Sequence, residues 1–171
     1  MTKNVILTLV LTLSFMFYSA NVSAAKPSAK KWTEQCDDET KVCLALIQKI
    51  TEDKETIAVM YMRTGFVQVD EKKIEAPILT VNLPLGQDLR ATPKIIIDDD
   101  AANASLNIGF TNCNAKNGCV ASVAINDKAI ELLKNGKKVS IIFKLFSGKE
   151  NLQMDFPLKG FTKAYTKILE K

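Results

Sequence analysis

The sequence predicts an all-β protein, an antiparallel sandwich of two sheets with about eight strands and two short helices, one of them C-terminal. Three observations carry this expectation. Apolar and polar residues alternate with period two over several short stretches, as strands with one buried face require. Gly, Pro, Asn and Asp interrupt those stretches at short spacing. Four cysteines fall into two close pairs, each around a turn-rich segment.

Taken in order, Val42 to Ile47 and Ile57 to Met62 are apolar on both faces and suit central strands, with helix left open for the first. Leu79, Val81, Leu83 and Leu85 alternate with Thr80, Asn82 and Pro84. Lys94 to Asp98 is a further short strand. Leu106, Ile108 and Phe110 place another over 105–111, and Cys119 to Ile125 returns from Asn117-Gly118 to pair with it. Asn126 or Asp127 can cap a helix through Ile130, Leu132 and Leu133 that stops at Gly136. Val139, Ile141, Phe143 and Leu145 form one strand face, and Leu152, Met154, Phe156 and Leu158 the next. Phe161, Tyr165, Ile168 and Leu169 then fall at helical spacing. This last stripe can close the sandwich or, with Lys163, Lys167 and Lys171 on its polar side, lie on a membrane surface; its short length favours packing on the domain.

The first 24 residues read as a secretory leader. Lys3 supplies the positive start, Val5 to Tyr18 the apolar run, and Val22-Ser23-Ala24 the small residues before cleavage after Ala24 or Ala25. A membrane span needs about 20 apolar residues, more than this run offers. Residues 25–31 then form a flexible basic start, and 32–171 read as one domain, since no Gly/Ser/Pro-rich linker or internal repeat divides them. An exported chain places its cysteines where thiols oxidise. Cys36, Cys43, Cys113 and Cys119 permit three connectivities, of which the local pairs Cys36–Cys43 and Cys113–Cys119 are favoured because each brackets a turn. Loops this short lend about 2–2.5 kcal/mol each by chain entropy. Metal ligation or redox catalysis by the same thiols lacks C-x-x-C spacing and a histidine partner.

The 171 residues are 47% hydrophobic and 25% charged, near globular averages, which excludes collagen-like, coiled-coil and fully disordered chains. Histidine is absent, so imidazole-dependent triads and zinc sites are excluded. The net charge of +4 is carried almost wholly by lysine, a balance that favours solubility over nucleic-acid recognition. Asp98-Asp99-Asp100 is the densest carboxylate cluster and offers oxygen ligands for Ca²⁺, but it lacks the spaced D-x-D-x-D-G frame and reads as an acidic solvated turn. Gly136-Lys137-Lys138 reads as a helix stop followed by an exposed lysine pair. Trp32 is expected to pack beside the first cysteine pair, with exposed ligand stacking as the alternative. No catalytic constellation, cofactor motif or metal site is legible.

One resemblance spans Trp32 to Leu169. It rests on Trp32 with Cys36 and Cys43; Leu83-Pro84-Leu85-Gly86 and Ile97-Asp98; Phe110-Thr111-Asn112-Cys113 with Gly118-Cys119-Val120; Leu133-Lys134-Asn135-Gly136-Lys137; and Leu158-Lys159-Gly160-Phe161 followed by Ala164. In these the chain resembles the invasion-associated locus B family of exported bacterial proteins. It departs from that pattern at Ala91-Thr92-Pro93 and in the acidic run after Asp98. The resemblance implies an immunoglobulin-like sandwich, periplasmic or associated with the outer membrane or cell surface, and a non-enzymatic part in invasion of host cells, notably red cells. The expected partner is a host-surface or envelope protein, with no nucleic acid and at most peripheral membrane contact. The alternative is a periplasmic chaperone-like or ligand-binding module that accepts a partner's strand on an unpaired sheet edge.

Overall fold

A computed structural model describes residues 30–116 and 118–170, so the leader and its cleavage site lie outside the described residues. In chain order the elements are β1 (Thr33–Cys36), β2 (Cys43–Ile50), β3 (Thr56–Val69), β4 (Lys72–Leu83), β5 (Lys94–Ile97), β6 (Ser105–Asn107), β7 (Gly109–Asn114), β8 (Gly118–Ala124), α1 (Asp127–Asn135), β9 (Lys138–Lys144), β10 (Asn151–Pro157) and α2 (Phe161–Leu169). They form a six-stranded sheet, β1-β2-β3-β4-β8-β7, and a four-stranded sheet, β10-β9-β5-β6, all pairs antiparallel. The sandwich is as predicted, with ten strands in place of about eight.

Period-two patterning explains the core. Ala45 and Ile47, Met60 and Met62, and Leu79 and Val81 point inward from the larger sheet. Ile95, Ile97, Val139, Ile141 and Phe156 meet them from the smaller one. The β1–β2 end of the larger sheet is covered by α2, whose Phe161, Ala164, Tyr165 and Ile168 are buried. The helical stripe of Phe161, Tyr165 and Ile168 read in the sequence therefore packs on the domain, while Leu169, read with it, is exposed. A Lys167–Glu34 ion pair of 2.8 Å fastens the helix to β1. Asn126 caps α1, its side chain accepting the Ala129 N–H at 2.9 Å. Gly136 ends that helix for reasons of space, because a Cβ there would meet Leu132 O at 2.8 Å and Leu158 Cδ1 at 2.9 Å.

Three expectations and one alternative reading need correction. The strand read over 105–111 is two strands in different sheets. Ile108 is fully buried between them and gives its N–H to Pro93 O at 3.0 Å, so the chain crosses from one sheet to the other there. Leu85 lies beyond the end of β4 and is exposed, as is Leu152 within β10. Trp32 is buried against Phe161, ring centroids 5.0 Å apart, with its indole N–H donating to Pro157 O at 3.0 Å, which leaves no exposed stacking face. Lys138 is not half of an exposed pair: it begins β9, half-buried, and bridges Asp99 and Asp155 at 2.9 and 3.4 Å.

Candidate functional site

The cysteines come first. Disulfides join Cys36 to Cys43 and Cys113 to Cys119. In both cases the two residues are directly opposed across a strand pair, β1–β2 and β7–β8. These are the two outermost pairs of the larger sheet, so each edge strand is clasped to its only neighbour in that sheet. Gly118 starts β8 at φ +72°, and a Cβ there would collide with the Leu83 carbonyl, so the β7–β8 connection closes tightly over the end of β4.

The acidic run spends its carboxylates locally. Asp98 accepts the N–H groups of Lys137 and Lys138 at 2.8 and 2.9 Å, tying the β5 end to the start of β9. Asp99 pairs with Lys138, whose ammonium is held above the ordinary lysine value chiefly by that bond. Asp100 accepts from the Asn103 backbone at 3.0 Å, which lowers its carboxyl below the usual range. Among the described residues no three His, Cys, Asp or Glu side chains gather as a metal-binding group. A shallow groove of about 410 Å³ lies beside this loop, between Ile97, Ala104 and Leu132.

The exposed feature with the most built support is a platform at the end of β4. Its frame is a pair of loops, 84–90 and 145–148, laced together. Phe146 donates its N–H to Gly86 O at 2.8 Å, Asp88 donates to Lys144 O at 2.8 Å, and Gln87 forms a bridge with Leu145. The Gln87 side chain is buried and donates to Pro84 O at 3.0 Å. Asp88 is buried as well, and its carboxylate receives Arg90 through Nε at 2.9 Å and Nη2 at 3.1 Å. Those bonds hold the Asp88 carboxyl below the usual carboxylate range.

On this frame sit Leu85, Leu89 and Phe146, exposed by 52%, 59% and 71%. The Arg90 guanidinium lies 5.4 Å from the Phe146 ring centroid. The loop backbones that carry this ring, the arginine and the two leucines are bonded to each other, so little backbone order has to be gained on binding. The alternation that predicts a strand through Leu85 ends at Leu83, and no local pattern marks Phe146. The available signal was the Leu-Pro-Leu-Gly run, whose proline and glycine mark a turn rather than a continuing strand.

Fold and site together define a disulfide-clasped antiparallel β protein whose joined loops expose Leu85, Leu89, Phe146 and an arginine beside that ring. The profile of the family described as "Invasion associated locus B (IalB) protein" matches residues 32–169. The chain belongs to that family. It is 24% identical over 146 residues to an invasion protein B homolog of Brucella abortus (strain 2308), covering 85% of this chain and 80% of the relative. A homolog from Brucella abortus biovar 1 (strain 9-941) matches with the same figures. No solved structure matches. The family is named for invasion and not for a reaction. No helix among the described residues is long and apolar enough to cross a membrane, which says nothing of β-barrels.

Proposed function

We propose that this protein is exported and acts without catalysis, through protein contact, in invasion of host cells, red cells among them. The observation that carries the reading is the preassembled platform of Leu85, Leu89, Arg90 and Phe146, apolar, exposed and stiffened by the buried Asp88 and Gln87. Family membership and the names of the Brucella relatives support it. Export is supported by the leader-like start and by two disulfides, which persist in oxidising compartments. The partner is a host-surface or envelope protein that offers an apolar patch with a carboxylate for Arg90.

The test is deletion of the gene followed by complementation with wild type or with Leu89→Asp/Phe146→Asp. Deletion should reduce invasion, and the variant should fail to restore it while folding as the wild type does, since both side chains are exposed. Unchanged invasion on deletion defeats the reading. Unchanged invasion with a leaky envelope would point instead to the periplasmic support role. Protease treatment of intact cells separates the locations: digestion places the domain outside, and protection places it in the periplasm.

A further inference from the structure

At the other end of β4 the β3–β4 hairpin outruns its neighbours. β2 pairs with β3 no further than Met62, and β8 pairs with β4 only from Ile78. β3 and β4 nevertheless stay paired out to Val69↔Lys72. Residues 63–77 thus form a two-stranded ribbon with no third strand beside it among the described residues. Its two-residue turn, Asp70-Glu71, has positive φ at both positions, 47° and 65°.

Turn geometry decides which backbone groups face outward. In a two-residue hairpin the closing pair, Val69 and Lys72, is hydrogen-bonded, and the pattern alternates from there. The N–H and C=O groups of Lys73 and Glu75 therefore point away from β3. Pro77 shares that phase, and its C=O indeed accepts the Ile125 N–H at 2.8 Å. On β3 the outward groups belong to Thr64, Phe66 and Gln68. The two edges differ: Arg63 covers the Thr64 carbonyl at 3.2 Å on the β3 side, whereas the β4 side carries only Lys73 and Glu75 around Ile74. Lys73 Nζ stands 4.4 Å from the Phe66 ring centroid, on the face it shares with Glu75.

We infer that the β4 edge pairs with the same edge of a second copy, antiparallel, about a two-fold axis through Ile74. This register sets Lys73 of each copy opposite Glu75 of the other, in hydrogen-bonding phase, and Ile74 opposite its mate on the other face. Opposite charges meet at both pairs, and the backbone groups of both residues find partners. The neighbouring registers in the same phase are poorer. One sets Lys73 on Lys73 and Glu71 against Glu75; the other sets Glu75 on Glu75 and Lys73 against Pro77, which has no N–H. Because this edge lies at the opposite end of β4 from the platform, the inference stands apart from the proposed function, and the dimer leaves both platforms open.

Sedimentation equilibrium on the oxidised, exported protein tests it. The wild type should show a concentration-dependent dimer. Lys73→Glu and Glu75→Lys each place like charges at both symmetric pairs and should weaken association about tenfold. The double swap Lys73→Glu/Glu75→Lys restores opposite charges and should return association to the wild-type range. Glu75→Pro deletes an outward N–H without touching the β3–β4 ladder and should also weaken the dimer, with circular dichroism unchanged. A wild type that stays monomeric at millimolar concentration overturns the inference. So does a dimer indifferent to either single swap, or a double swap that stays as weak as the singles.

Discussion

β3 and β4 behave as two different structures along their length. From Val59 to Met62 and from Leu79 to Asn82 they have a strand on each side, and their inward residues Met60, Met62, Leu79 and Val81 are fully buried. From Arg63 to Pro77 the same two chains have only each other, and Phe66, Val69 and Ile74 are exposed by 61%, 47% and 45%. The composition changes at that boundary: the face that carries Leu79 and Val81 continues on β4 with Pro77, Glu75 and Lys73. Neighbouring strands and an apolar inward face end together, which makes one half core and leaves the other as an exposed edge.

Substitutions along these strands test that contrast. Met60→Ala should cost the most, about 2–5 kcal/mol in urea unfolding, because its cavity lies where both sheets meet. A loss under about 0.5 kcal/mol would mean that the buried half is as tolerant as a surface site. Removing a clasp comes next. Cys113→Ala/Cys119→Ala should lower stability by about 2–2.5 kcal/mol and speed amide exchange in β7, the edge it secures. Thiol titration of the wild type should find all four cysteines blocked.

The ribbon answers to its turn. Asp70→Asn/Glu71→Gly places Asn-Gly, the pair that best tolerates positive φ, at the two turn positions and should slow exchange at the Val67 and Ile74 amides by an amount worth about 1 kcal/mol. Core amides should not change. At the platform, Arg90→Ala should raise the Asp88 titration toward the ordinary aspartate value, followed by carboxyl NMR. The sign follows from the lowered folded value: Asp88 adds stability at neutral pH, which is lost as pH falls through that value, so the variant should be less sensitive to acid. Phe66→Ala should do least, changing global stability by no more than about 0.5 kcal/mol, since its ring leaves little water-free surface behind. A large loss there would erase the distinction between the two halves of β3.

Much of the fold was legible because alternation is a local signal. The inward faces of β4 and β9, the Asn126 cap and most of the α2 stripe follow from residues within a few positions of each other. The ribbon was not legible. Asp70-Glu71 lacks the Asn-Gly or Asp-Gly chemistry that announces such a turn, and Thr64 to Pro77 mixes charged and apolar residues on both faces. The break at Ile108 was hidden too, since a continuous alternation through Leu106, Ile108 and Phe110 does not reveal a change of sheet. Of the platform, the Leu-Pro-Leu-Gly run was visible but Phe146 was not, because it joins the site through a backbone bond to Gly86 from a distant loop.

By itself the chain settles which residues want burial, where helices begin and how each strand divides its faces, since these depend on side-chain period and on bonds spanning one turn. Tertiary structure alone decides which strand edges are covered, which alternating stretch becomes core, and which loops meet to present Leu85, Leu89, Arg90 and Phe146. Backbone groups on an edge are identical in every residue, so only the presence or absence of a neighbour distinguishes a closed sheet from one ready to receive another strand.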